Sequence, residues 1–177
     1  MGGRLVARAP QIRATTERAF GDQNGGSKAA HNGAALEATM STATGRGSIK
    51  RQRSKLHGWG VIAVTPITKN TRIIDYAGEL ISHQESLRRE RRYMKRGEIW
   101  CFQINRRWVR DAAVGGNVAR FINHSCHPNC YVHIMGDTIW IRAARNIKPG
   151  EELTYDYCTD GEGSIRCRCR SGCQRLL

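Results

Sequence analysis

The chain has 177 residues, 40% of them apolar, and a formal charge of +14. That length fits one domain with a tail, and no apolar run approaches the ~20 residues of a membrane-crossing helix. Arg4, Arg8, Arg13, Glu17 and Arg18 break up the first twenty residues, which excludes a continuous secretory apolar stretch, so a soluble intracellular protein is expected.

Residues 1–47 are rich in Ala, Gly, Thr, Ser, Asn and Gln and poor in large apolar side chains. Such a basic, low-complexity segment cannot bury enough surface to offset its ordering entropy and is expected to be disordered. Met40 offers a second start, so translation of residues 1–39 stays open. The pattern changes at Ser48. Val61-Ile62-Ala63-Val64 reads as a short buried strand after Gly58-Trp59-Gly60, and Arg72 to Tyr76 as another. Ser82 with Glu85 three residues on reads as a capping box, opening a helix to about Lys95 that Gly97 stops. Ile99–Ile104 and Trp108–Arg110 read as strands. Tyr131–Met135 and Thr138–Ala143 flank the hairpin signal Gly136-Asp137, and Pro149-Gly150 turns the chain into Leu153-Thr154-Tyr155. Many short strands and one helix argue a mostly β, α+β fold.

Three of the seven cysteines, Cys167, Cys169 and Cys173, lie too close together for a disulfide framework and are well spaced for a metal. A tetrahedral structural site needs a fourth ligand. Cys101, Cys130 and Cys158 read as small apolar fillers. The charge is uneven: residues 1–56 hold ten Lys/Arg against three acids, and residues 88–96 six against one. Such basic segments attract nucleic acid, although a run like Arg88-Arg89-Glu90-Arg91-Arg92 also serves as a solvated helix face.

The densest chemistry lies in Asn123-His124-Ser125-Cys126-His127-Pro128-Asn129-Cys130, which follows Arg120-Phe121-Ile122 and precedes Glu151-Glu152-Leu153-Thr154-Tyr155-Asp156-Tyr157. Polar, sulfur and proline residues in one string suit a backbone turned around a ligand, not a core strand. Together with His57-Gly58-Trp59-Gly60, Tyr76-Ala77-Gly78-Glu79 and the cysteine tail, these segments resemble, in order, the SET domain of protein-lysine methyltransferases over roughly residues 48–177.

The resemblance implies a SET-domain β-clip fold: small sheets, a knot-like crossing, a SET domain at 48–158 and a zinc-binding tail at 159–177. It also implies S-adenosylmethionine as cofactor, with contacts from His57, Gly58, Trp59, Gly60, Trp100, Arg120, Asn123, His124, Tyr157 and Arg168. Tyr157 and Tyr155 become the catalytic pair, and Cys126 joins Cys167, Cys169 and Cys173 on Zn2+. A free lysine has a pKa of about 10.4, so the amine must lose its proton, be aligned and be kept from water. Tyrosine hydroxyls and backbone carbonyls can do the aligning.

The chain departs from the family in two places. Trp100-Cys101-Phe102 stands where a Tyr-x-Phe strand is usual, and an indole donates one hydrogen bond but accepts none. Only three residues separate Cys169 from Cys173, where four are usual. The expected activity is methyl transfer to a lysine ε-amine of a histone or other basic chromatin or nucleoid protein. It implies a protein substrate, basic segments open to nucleic acid, no membrane and a monomer. The location would be the nucleus and chromosome in a eukaryote, or cytoplasm and nucleoid in a bacterium. A catalytically degenerate, zinc-stapled module that binds nucleic acid, and a methyltransferase for a non-histone protein such as a ribosomal protein, remain alternatives.

Overall fold

A computed structural model describes residues 7–8, 48–159 and 165–177. One unit comprises Met1–Pro10 and Gly45–Leu177; Gln11–Thr44 forms a second, which lies outside the described residues, as does most of the segment expected to be disordered. The described elements are β1 (Ala7–Arg8), β2 (Ile49–Arg53), β3 (Trp59–Ala63), β4 (Arg72–Asp75), β5 (Glu79–Ser82), α1 (His83–Met94), β6 (Cys101–Gln103) and β7 (Trp108–Asp111). A 3-10 turn (Val118–Phe121), β8 (Asn123–His124), β9 (Cys130–Met135), β10 (Thr138–Ala143) and β11 (Thr154–Tyr155) follow.

These strands form four small sheets. β2 and β3 make an antiparallel hairpin, β4-β10-β9 an antiparallel sheet, and β1-β6-β7-β5 a sheet in which only the β1–β6 pair is parallel. β8 and β11 lie side by side in parallel, pairing Asn123 with Thr154 and His124 with Tyr155. The core follows from the sequence periods. β10 alternates, with Ile139, Ile141 and Ala143 buried, whereas Val61-Ile62-Ala63 of β3 is buried continuously, with β2 along one edge and the backbone of residues 151–153 along the other. Phe102, Ile122, Ile147 and Leu153 fill the space between sheets. The β9–β10 hairpin closes at Gly136, whose φ of +57° meets the left-handed turn requirement.

The expected helix forms, but its capping box is only half made. Ser82 Oγ accepts from the Glu85 N–H at 3.2 Å, while the Glu85 carboxylate turns away to Arg88 and Arg89. Arg89 also reaches Asp111, a fully buried carboxylate that accepts from the Tyr93 hydroxyl at 2.8 Å. Part of the basic run therefore anchors the helix to β7. Only Arg91 and Arg92 of that run are both exposed and without an acidic partner among the described residues.

Glu90, on the inner face of α1, is buried and its Oε1 has no partner among the described residues. Burial pushes its carboxyl up from the ordinary value of 4.5 to about 7; a bond from Cys101 works against this shift and Asp111 adds to it. An acid whose folded pKa is raised costs stability as it ionises, and the loss grows as pH climbs from about 4.5 through about 7. The shift corresponds to about 3 kcal/mol at most. Glu90→Gln removes the titration, so its Tm should match that of the parent at pH 4–5 and exceed it by several degrees at pH 8, as read by thermal melts across pH.

Candidate active site

The cleft is assembled from segments far apart in sequence, and Asn123 is where they meet. Its Nδ2 donates to the carbonyls of Trp59 (3.0 Å) and His57 (3.3 Å) and to Glu152 Oε1 (2.8 Å). Glu152 is fixed from its other side by the Ser54 hydroxyl at 2.8 Å. Gly60 is a glycine for this reason: a Cβ there would run into the Glu152 carboxylate. With both amide protons spent, Asn123 Oδ1 is left to accept.

Around this junction lies a cleft of about 400 Å³. His57, Gly58, Trp59, Trp100, Arg120, Asn123, His124, Tyr157 and Arg168 all line it; Gly60 is buried beneath the wall and acts through Glu152. Leu56, Phe121 and Leu177 add apolar surface that the sequence reading did not single out. Arg120 stacks on Phe121 and Trp100, and its Nη1 donates to the Ala112 carbonyl. Its Nε is buried without a partner among the described residues, the kind of orphaned donor that an acceptor on a bound group would satisfy. Aromatic faces, arginine side chains and the Asn123 amide oxygen fit a cofactor that combines an apolar ring with an ammonium and a carboxylate, as S-adenosylmethionine does.

At the inner end of the cleft stand four aromatic rings. Tyr155 lies 4.9 Å from Tyr157 and 6.0 Å from Phe102, and Phe102 lies 5.5 Å from Tyr76. The Tyr157 hydroxyl donates to the Ile122 carbonyl at 2.9 Å, and that of Tyr76 to the Trp100 carbonyl at 3.0 Å. Burial raises all three tyrosine pKa values, so these hydroxyls stay neutral at physiological pH. Tyr76 and Phe102 belong to this cluster although the sequence reading gave them no role. Their signal was the short Tyr76-Ala77-Gly78-Glu79 segment and the aromatic pair Trp100 and Phe102.

Trp100 faces the cofactor cleft. Its indole lines the cleft, packs edge-on against Phe121 at 6.0 Å and donates from Nε1 to Glu98 at 3.1 Å. Phe102 takes the inward place two residues on.

The cysteines converge. The Sγ atoms of Cys126, Cys167, Cys169 and Cys173 lie within 4.8 Å of one another, with Cys126 at 4.0 Å from Cys167 and 3.8 Å from Cys173. Zinc–sulfur bonds of about 2.3 Å in a tetrahedron put sulfurs about 3.8 Å apart, so the cluster is compatible with zinc. The shortened spacing is absorbed by a turn in which Gly172 takes φ +73° and the Cys173 N–H returns to the Arg170 carbonyl. Of the expected fillers, Cys101 and Cys130 are buried, whereas Cys158 is half-buried in a left-handed backbone (φ +51°).

His124 links cluster and cleft. Its Nδ1 accepts from the Tyr157 N–H at 3.1 Å, which leaves the proton on Nε2, 3.4 Å from Cys126 Sγ. Burial lowers its pKa to about 4, against the nearby Asp156, so the ring is neutral. Asp156 also pairs with Arg175 of the tail at 3.2 Å. The Cys126 thiol of the cluster thus has a neighbour that also holds the backbone of Tyr157.

Comparison with known proteins agrees with this geometry. The SET domain family model matches residues 58–158. Histone-lysine N-methyltransferase ATXR7 of Arabidopsis thaliana is 39% identical over 137 residues, 68% of this chain and 10% of that protein. An H3 lysine-4 specific histone-lysine N-methyltransferase of Emericella nidulans is 42% identical over 140 residues, 73% of this chain and 12% of that protein. The chain therefore spans about a tenth of the length of the curated relatives it matches. Among solved structures, ctPRC2 in an autoinhibited conformation bound to S-adenosylmethionine aligns with a TM-score of 0.58 and 34% identity, over 63% of this chain and 15% of that one. A humanized mutant of the Chaetomium thermophilum Polycomb Repressive Complex 2 aligns with a TM-score of 0.56 and 36% identity over the same shares.

The metal site is directly testable. Protein purified without chelator should carry about one zinc per chain by elemental analysis. Because the tail supplies Arg168 and Leu177 to the cleft wall, chelation should abolish cofactor binding before the main core melts. Metal-free protein with an intact cleft would contradict the assignment.

Proposed function

Because the chain belongs to the SET-domain family, we propose that it is a protein-lysine N-methyltransferase that uses S-adenosylmethionine and acts on histones or other basic chromatin proteins. One observation carries the reading: a neutral tyrosine cluster closes the inner end of a cleft whose walls suit that cofactor. A chromatin substrate, and with it a nuclear location, is supported by the names of the relatives, which are histone-lysine methyltransferases.

When bound, S-adenosylmethionine supplies an electrophilic methyl group on a sulfonium. The residues of this chain would hold it through Trp59, Arg120, Asn123, His124 and Arg168. What they must do to the lysine is remove it from water, orient its lone pair and tolerate no charged ammonium. Tyr76, Tyr155, Tyr157 and Phe102 form an aromatic sleeve for the lysine stem, and the tyrosine hydroxyls orient the amine. With their pKa values raised, the tyrosines cannot act as bases at neutral pH, so the amine's proton leaves to solvent before the sleeve closes on it. The outer edge of β6 takes extended backbone in parallel register, as Ala7 does opposite Phe102. A substrate peptide laid on that edge, in place of Ala7–Arg8, would present a side chain to the sleeve.

Tyr157→Phe should lower kcat on a peptide substrate by about 100-fold, the scale of one lost transition-state hydrogen bond, while cofactor affinity by calorimetry changes little. Full activity in that variant would remove Tyr157 from the chemistry.

Tyr155, which carries a hydroxyl and packs between Phe102 and Tyr157, leaves little room for a methylated amine to turn and react again. Monomethyl-lysine should be the main product by mass spectrometry, and Tyr155→Phe should raise the methylation state. Efficient trimethylation by the parent protein would show that Tyr155 does not restrict the site.

A further inference from the structure

The β2–β3 hairpin carries charge that no acidic side chain among the described residues pairs with. No Asp or Glu occurs from residue 38 to residue 74, whereas Lys50, Arg51, Arg53 and Lys55 fall within six positions. All four are exposed, and β2 pairs only with β3 among the described residues, so its other edge is free. None makes an ion pair among the described residues. The one carboxylate that reaches the hairpin, Glu152, is taken by Ser54 and Asn123.

Two of these cations are held in place. The Arg51 guanidinium lies 4.5 Å and that of Arg53 4.4 Å from the centre of the Trp59 indole, and Arg51 also covers Phe121 at 4.9 Å. Two like charges share one ring with no acid between them. The stacking keeps their flat faces on aromatic carbon and leaves the N–H edges for an external acceptor. Pre-ordering of this kind lowers the entropy cost of gripping a row of anions.

We propose that this hairpin docks on the phosphate backbone of duplex DNA. A duplex fits better than a single strand. Base recognition in single strands needs an open aromatic face, and the indole's is already covered by guanidinium. Phosphate contacts need only the fixed, outward donor edges that Arg51 and Arg53 present, with Lys50 and Lys55 as flanking point charges. The surface lies beside the cleft, since Trp59 belongs to both. Contact with DNA would therefore bring the cleft close to whatever basic protein is bound to the same duplex.

The test is fluorescence anisotropy of the full chain with a labelled 25-base-pair duplex, across salt. The comparison variants are Lys50→Gln/Arg53→Gln on the hairpin and Arg91→Gln/Arg92→Gln on α1, each checked by thermal melt. The hairpin variant should weaken binding about 10-fold for unrelated sequences. It should also reduce the slope of log affinity against log salt by about 2, one per lost phosphate contact. The α1 variant should keep the parent slope. Loss of the slope from α1 and not from the hairpin would overturn the proposal. So would single-stranded RNA, or polyglutamate of equal charge, competing as well as the duplex.

Discussion

The segments that build the cleft run from Leu56 to Leu177 and meet because two asparagine side chains from one string clamp a third segment. Asn123 donates to Glu152 and to two carbonyls of the loop at 57–59. Asn129, buried, donates from Nδ2 to the Glu152 carbonyl at 2.8 Å and accepts the Thr154 N–H at 2.9 Å. The segment 152–154 is thereby held on both sides, and β8 and β11 can be only two residues long because side chains supply what a longer ladder would. In a site enclosed by protein such bonds have no water to replace them, and a lost partner leaves a buried amide or carboxylate unsatisfied. Tyr155 and Tyr157, which follow directly, inherit their positions from this clamp.

The tail depends on the same string. Cys126 lies between the two asparagines and meets three thiols from 167–173. His124 turns its Nε2 toward Cys126 and its Nδ1 toward the Tyr157 backbone. Within the cluster the thiols differ: burial raises Cys167 to about 12, whereas for Cys169 burial is outweighed by hydrogen bonds from its neighbours, which bring it down to about 7. A cluster in which the thiolate charge is already favoured at one sulfur is a ready receiver for a divalent cation. The tail that carries three of these thiols also supplies Arg168 and Leu177 to the cleft wall, so the cysteine cluster and the cleft are built from one segment.

Much of this was legible in the residues. The buried run at 61–63, the alternation in Thr138–Ala143, the turn at Gly136 and the Ser82 cap are local patterns with one physical solution each. The string at 123–130 marked the site because no core strand would tolerate it. What could not be read was whatever depends on distant partners. β2 has an outward-facing, charged pattern that resembles a linker until Trp59 is seen beneath its arginines. The strand at Glu79–Ser82 merges with the helix cap. Glu85 was expected to return to Ser82, yet two arginines on its own helix outcompete a backbone N–H. Trp100 lies just before β6 and lines the cofactor cleft, whereas Phe102 within β6 packs against the tyrosines. Which of residues 100 and 102 faces the tyrosines is decided by the fit of Phe102 between Tyr76 and Tyr155. The hydroxyl missing from Trp100 has a neighbour in Tyr76, bonded to the carbonyl of Trp100 itself.

The distribution of charge follows from the same economy of partners. Acids are few, and most of those in the described residues are engaged within the fold. Glu79, Glu85 and Asp111 surround Arg89, Glu151 holds Arg145, Asp156 holds Arg175, Glu152 serves Asn123, and Glu90 is buried. Each such pair removes one cation from the external field, but 29 Lys and Arg stand against 15 acids in the chain, so the remainder must face outward. Where it concentrates is therefore set by where no internal acid can reach. On α1 the run is broken by its own glutamates. On β2 no acid is near in sequence, and the only one near in space is committed to the cleft. The edge of the hairpin is left as the place where uncompensated positive charge is both dense and held in a fixed geometry, and a polyanion is the partner that such an arrangement can still gain from.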